Sequence, residues 1–139
     1  MSSQPRALSI DSVRRLSTAG KANATGLVLT AAGMLLQIAG GSTLYPSVAG
    51  PVVLLATAAI VAFVPGRWTP YIGLVVPVVL GVGAIVAAAM SGGFIDQLTD
   101  PGRAGVVLGS VLHVIGLTAA VAGGVAMVTA SRGTAAGER

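Results

Sequence analysis

His113 is the one strongly polar ionisable residue inside the long apolar runs of this sequence. A charged group is costly in lipid, so an ionisable side chain in such a run is a candidate for function. The imidazole could act as a proton-responsive switch, relay a proton, or bind a haem as one axial ligand, with a second histidine from another subunit. The alternative, which we favour, is a neutral imidazole hydrogen-bonded to a polar neighbour such as Gln37 or Ser110.

Motifs for catalysis are absent from the sequence. There is no cysteine, which excludes disulfides, thiolate metal sites and cysteine nucleophiles, and no HExxH, GxSxG or Walker glycine loop occurs. Ser110 lies three residues before His113, but no oxyanion-hole element accompanies the pair. Asp96 and Asp100 supply few of the roughly six to eight oxygens that calcium needs. We therefore predict that the protein is not an enzyme and has no cofactor and no metal ion.

The composition is that of a membrane protein. Only 9% of the 139 residues are charged, and the mean hydropathy is +0.90, values too apolar for one water-soluble core of this size. Four apolar runs approach the roughly 20 residues that a spanning helix needs. We predict an all-α bundle of four transmembrane helices in up-down order, a membrane domain of residues 22–130 with spans at about 22–39, 47–64, 70–90 and 101–128.

Small residues are spaced along two of these runs so that helices can approach closely. The stripes consist of Gly105, Gly109 and Gly116 in the last run, and of Gly73, Pro77 and Gly81 in the third. They could mediate homo-oligomerisation or docking onto a larger complex, or they could contact another span of the same chain, which we favour. Pro77 removes a helical hydrogen bond, which predicts a kink and a candidate hinge.

The basic residues predict the orientation. With four spans, every Lys and Arg except Arg103 falls on one side of the membrane, which predicts that both termini are cytoplasmic in a multi-pass protein of the cell membrane. The alternative is that the first run is a cleaved signal peptide, but its long leader and long apolar stretch favour a retained anchor.

The two ends of the chain are predicted to lie outside the spans. Residues 1–21 form a basic leader in which 9–16 place apolar residues at i, i+3 and i+6, a pattern that suits either a short interfacial helix or a disordered segment. Residues 131–139 are predicted to be a disordered cytoplasmic tail.

The connection 91–103 is the one sizeable polar loop on the outer side, and it is the best candidate for an exposed recognition surface. Its candidate contact residues are Phe94, Ile95, Asp96 and Leu98. The sparse basic residues do not fit nucleic-acid binding, so the expected partners are membrane lipids and other membrane subunits or further copies of this chain. The bias toward Ala, Gly and Val suggests a bacterial source with a high-GC genome.

Three functions are compatible with these features. The first is a non-catalytic interaction or accessory subunit of a larger membrane assembly, and it carries the most weight. The second is a small oligomeric transporter or pore, with His113 and Gln37 lining the path and Pro77 as hinge. The third is a lipid or quinone binding protein in which His113 donates to the polar end of the ligand.

Overall fold

The structure, a computed structural model, describes residues 16–45 and 47–136. All regular structure in this part of the chain is helical, which confirms the predicted helical class. The helices are α1 (Thr18–Ala39), α2 (Ala49–Phe63), α3 (Thr69–Met90), α4 (Phe94–Thr99) and α5 (Ala104–Ala136), with a 3₁₀ turn at Pro101–Arg103 before α5. The predicted amphipathic segment 9–16 lies outside the described residues, apart from Leu16.

Helix length and composition are those of a membrane protein. Among the described residues, α1, α3 and the helix that begins at Pro101 are long and apolar enough to cross a bilayer. The fourth apolar helix, α2, has 15 residues, a length of roughly 22 Å at about 1.5 Å per residue. The hydrocarbon layer is about 30 Å thick, so a crossing by α2 stays a prediction.

Local sequence explains where the helices begin and end. Ser17 caps α1, because its Oγ accepts a hydrogen bond of 3.1 Å from the Gly20 N–H. Gly41, at φ 78°, ends α1 in the left-handed conformation, which lets the N–H of Ser42 bond the Gln37 carbonyl at 2.9 Å. Asp100 accepts 2.9 Å from the Gly102 N–H and so caps the turn that leads into α5.

Two segments differ from the sequence prediction. Helix α5 continues through Ala136, so the disordered tail predicted from residue 131 is wrong for 131–136. The hydroxyl groups of Ser131 and Thr134 donate to carbonyls three residues earlier on α5, which satisfies these polar side chains within the helix. The connection 91–103 is also more regular than a loop, since it contains α4 and the 3₁₀ turn.

The four long helices form a four-sided bundle. Helix α1 packs along α5 over most of its length and also contacts α2, while α3 contacts α5 and α2. The buried core lies mainly between α1 and α2 and consists of Leu27, Ala31, Met34, Leu54, Ala58, Val61 and Ala120. Many large apolar side chains of α2, α3 and α5 point outward, as lipid-facing residues do. We call the two ends of the bundle the Arg67 end and the α4 end.

Candidate functional site

The contact between α1 and α5 is built from glycines on both helices. A Cβ atom on Gly33 would lie 2.6 Å from the Gly109 carbonyl oxygen and 2.6 Å from the backbone nitrogen of His113. A Cβ on Gly116 would lie 2.5 Å from the Thr30 nitrogen. Real Cβ atoms do not approach backbone that closely, so the two helices can only pack this way with glycine at these positions.

A seven-residue repeat organises this contact, which we call the seam. Polar residues and glycines alternate along α1, and glycines alternate with larger residues along α5. The α1 positions are Asn23, Gly26, Thr30, Gly33, Gln37 and Gly40, and the α5 positions are Val106, Gly109, His113, Gly116, Ala120 and Gly123. Spacings of three and four residues keep both rows on the shared face, as in left-handed coiled coils. The seam therefore has the residue spacing of a coiled coil, in which polar residues and glycines alternate on α1.

The two predicted glycine stripes contact different sets of neighbouring helices. Gly105, Gly109 and Gly116 face α1, since a Cβ on Gly105 would lie 3.4 Å from the Gly40 Cα. On α3, Gly73 faces the side chain of Asn23 and Gly81 faces Leu117 of α5. Both stripes are thus used within the protomer.

Asn23 is the most heavily used polar side chain of the seam, and sequence analysis missed it. It is fully buried, and its Nδ2 donates 2.8 Å to the Gly73 carbonyl of α3 and 2.6 Å to the Ala120 carbonyl of α5. One amide therefore joins three helices. Its signal in the sequence is the spacing of Asn23, Thr30 and Gln37, each seven residues apart.

The acceptor on α3 is the carbonyl that Pro77 leaves without its usual donor. In a regular helix the N–H of residue 77 would bond the Gly73 oxygen, but proline has no N–H. Helix α3 nevertheless continues through Pro77, and Asn23 supplies the missing hydrogen bond from a neighbouring helix. The predicted hinge residue is therefore buried and sits one turn after a carbonyl held by α1.

His113 lies in the half of the seam toward the α4 end. Its side chain is 8% exposed and stacks on Tyr45, with ring centroids 6.0 Å apart and planes at 21°. Nδ1 of His113 has no hydrogen-bond partner among the described residues. No hydrogen bond joins His113 to Ser110, whose hydroxyl donates 2.8 Å to the Val106 carbonyl of its own helix.

Gln37 lies beside Gly109, one turn from the level of His113. A Cβ on Gly109 would lie 2.7 Å from the Gln37 Cγ, so the glycine makes room for this side chain. Gln37 is 2% exposed, and its Oε1 has no partner within residues 16–45 and 47–136. Gln37 Oε1 and His113 Nδ1 are thus two buried polar atoms of the seam that have no hydrogen-bond partner among the described residues. They are not hydrogen-bonded to each other.

Tyr45 belongs to the connection between α1 and α2, where it covers the His113 ring. Burial raises the pKa of the Tyr45 phenol above its ordinary value of 10.0. The phenol therefore stays neutral at physiological pH, and its ring covers the imidazole.

The chemistry available in the seam is hydrogen bonding. Hydroxyl groups of Thr30 and, next to the seam, Ser110 each donate to the carbonyl four residues earlier on the same helix, so neither is activated by a neighbouring base. The described residues contain no group of three or more His, Cys, Asp or Glu side chains that could hold a metal ion. Among the described residues of the seam, no hydroxyl group is paired with a base.

The predicted recognition surface lies at the α4 end. Ile95 and Asp96 are exposed and Leu98 is half-buried, while the side chain of Phe94 lies outside the described residues. Gln97 donates 3.0 Å to the Thr43 hydroxyl. Helix α4 is therefore tied to the connection between α1 and α2 and presents Ile95 outward.

Arg103 also connects two segments at the α4 end of the bundle. Its guanidinium contacts the Asp100 carboxylate at 3.3 Å and donates 3.3 Å to the Gly41 carbonyl. Both groups are partly exposed, so the ion pair adds little stability. Its effect is to hold the start of α5 against the end of α1.

Replacing His113 by phenylalanine is expected to leave the protein folded. H113F removes the unpartnered Nδ1, whose burial costs roughly 1–3 kcal/mol, and retains an aromatic ring against Tyr45. We expect a midpoint of thermal unfolding in mild detergent at or above that of the parent protein. H113A, which also removes the stacked ring, should unfold at a lower temperature. A large fall for H113F would mean that the imidazole makes a hydrogen bond on which the fold depends.

No protein-family model matches this chain, and it has no significant match among curated proteins or solved structures.

Proposed function

We propose that this protein is a non-catalytic accessory subunit of a larger membrane assembly, with four spans and both termini in the cytoplasm of a bacterial cell. The charge distribution supports this orientation. Lys21, Arg67 and Arg132 lie at one end of the bundle and Arg103 at the other, as the positive-inside rule requires if the Arg67 end is cytoplasmic. Helix α2 then crosses with a hydrophobic length shorter than the bilayer, which local thinning accommodates.

Gly83 on α3 is the observation that carries the proposal. Each seam glycine is explained by backbone that a Cβ would strike, but nothing lies within 4 Å of a Cβ built on Gly83. The described residues of its own protomer therefore make no contact that requires glycine here, although glycine costs about 1 kcal/mol relative to alanine inside a helix. A helix from outside the protomer, approaching as closely as α1 approaches α5, supplies such a reason.

The surroundings of Gly83 have the shape that such a contact needs. Val79 and Val86, one turn to either side of Gly83, are exposed. The glycine therefore forms a notch between two protruding valine side chains. Helix α3 is also the least covered of the three helices that are long enough to cross a bilayer: 17% of its most apolar stretch is buried, against 44% for α1. This face of α3, formed by Val79, Gly83 and Val86, is the surface that we assign to the partner.

The seam itself supports a structural role over transport. Helices α1 and α5 touch through their backbones at Gly26, Gly33 and Gly116, which leaves no room for a polar path between them. The carboxylates of the described residues, Asp96 and Asp100, lie at the α4 end and not within a helix that spans. Proton-coupled transporters use membrane-embedded acids or bases, and His113 alone is a poor substitute.

The experiment is affinity purification of the tagged protein from its native membrane in mild detergent, followed by mass spectrometry. G83L fills the notch and should reduce a stoichiometric larger partner at least tenfold, while the purified variant keeps its helical content and unfolding midpoint. The matched control is G133L, which makes the same change at another helical glycine with open space around it. A parent protein that emerges only as copies of itself would contradict the accessory role, as would equal partner recovery with G83L and G133L.

A further inference from the structure

A groove opens at the Arg67 end of the bundle, away from the seam and from the face of α3 that holds Gly83. It has a volume of about 1030 Å³ and is bounded by the start of α1, the connection between α2 and α3, and the last turns of α5. Val61 and Met127 line it from the core side, and the hydroxyl groups of Ser131 and Thr134 lie along the α5 side. The groove therefore joins an apolar floor to a polar rim.

The cations around this groove have no acidic counterpart in the described part of the chain. Arg67 lines the groove, Lys21 lies one turn after the lining residue Ser17, and Arg132 follows the lining residue Ser131. The only ion pair among residues 16–45 and 47–136 joins Arg103 to Asp100 at the opposite end. A ligand that fits the groove is accordingly anionic at the rim and apolar at the floor.

Exposed aromatic side chains place the rim at the depth of lipid headgroups. Trp68 is 65% exposed, Phe63 is 82% exposed, and both line the groove. Tryptophan and other aromatic residues concentrate at the membrane–water boundary. The Arg67 guanidinium lies 5.5 Å from the centre of the Trp68 ring, a cation–π contact that holds the charge at this level.

We infer that this groove binds one anionic phospholipid of the adjacent leaflet. Arg67 contacts the phosphate, the hydroxyl oxygens of Ser131 and Thr134, whose protons are donated within α5, accept hydrogen bonds from the headgroup, and an acyl chain lies over Val61 and Met127. The inference is independent of the proposed function, because it uses other residues and does not require a partner protein.

The test is native mass spectrometry of the full chain in mild detergent that contains equal amounts of phosphatidylglycerol and phosphatidylcholine with the same acyl chains. The parent protein should retain phosphatidylglycerol over phosphatidylcholine by about fivefold or more, the factor that one basic residue at a membrane surface provides. R67Q should bring the two lipids close to parity. R103Q, which removes the arginine at the opposite end, should retain the preference of the parent.

A second variant distinguishes lipid binding in the groove from nonspecific electrostatic attraction to a basic surface. T134W places an indole ring on the α5 side of the groove, where it blocks the headgroup position without changing any charge, so it should also remove the preference for phosphatidylglycerol. A preference unchanged in T134W or in R67Q would overturn the inference. So would displacement of the lipid by millimolar inorganic phosphate, which would assign the site to a free anion, or a preference that arises only after deletion of residues 1–15, which would make that segment the occupant.

Discussion

Replacing Asn23 by leucine is expected to destabilise the protein by about 2–5 kcal/mol, because a carbonyl without a donor costs several kcal/mol in a membrane interior. Asn23→Leu removes the donor to Gly73, whose oxygen Pro77 has already deprived of its own-helix partner. It also removes the hydrogen bond to Ala120. The measurement is loss of helical circular dichroism during titration from mild detergent into sodium dodecyl sulfate.

The double variant tests the assigned mechanism. Pro77→Ala restores an N–H that can reach the Gly73 oxygen within α3, so Asn23→Leu should cost less in the Pro77→Ala background than in the parent protein. Gln37→Leu is the matched control, since it changes a buried amide of the same helix whose Oε1 has no partner among the described residues. It should be nearly neutral. Equal costs for Asn23→Leu in the two backgrounds would contradict the role of Asn23 as the substitute donor.

Replacing Gly33 by alanine is expected to separate α1 from α5. The added methyl group would meet the Gly109 oxygen and the His113 nitrogen, each at 2.6 Å, and both are backbone atoms that no rotamer change can move away. Overpacking of this kind costs roughly 1–3 kcal/mol or more. Since alanine is intrinsically about 1 kcal/mol better than glycine in a helix, the observed loss is the net of the two effects.

Gly83→Ala makes the same chemical change where nothing lies within 4 Å. The purified protein should therefore be unchanged or slightly stabilised by Gly83→Ala and clearly destabilised by Gly33→Ala, by a difference of about 2 kcal/mol or more in the same titration. Both variants should insert into the membrane equally well, because neither reduces the hydrophobicity of its span. Similar stabilities for the two variants would mean that α1 and α5 do not approach as closely as the seam requires.

Individual helices could be predicted from the sequence because their signals are local. Apolar length predicts α1, α3 and α5, and Pro70 and Asp100 lie where α3 and the turn before α5 begin. The continuation of α5 through Ala136 has no apolar signal in the sequence, because Ser131 and Thr134 are polar residues whose hydroxyl groups bond back to their own helix. Helix α4 was missed because six residues leave too short a pattern to recognise.

The pairing of helices was harder to predict, because glycine is so frequent that any single GxxxG is weak. The spacing of Gly105 and Gly109 predicts a close contact but not its partner, which proved to be α1. A better signal is the combined repeat in α1, where Asn23, Thr30 and Gln37 alternate with glycines. Two rows with a seven-residue period on one helix indicate a packed face more specifically than a glycine pair does. The stacking of Tyr45 on His113 has no such signal, since it joins a connection to a distant helix.

The largest contact in this bundle joins the first helix to the last, and this order affects how the protein is made. Residues 40–136 are synthesised after α1, which takes on the order of ten seconds at typical translation rates. During that time the amides of Asn23 and Gln37 have no α5 to pack against. The carbonyl of Gly73 then depends on Asn23 of α1 for its hydrogen bond. Early docking of α1 with α2 and α3 would shelter these groups, and the insertion machinery could do the same. The α1–α5 contact therefore forms only after the rest of the bundle has been synthesised.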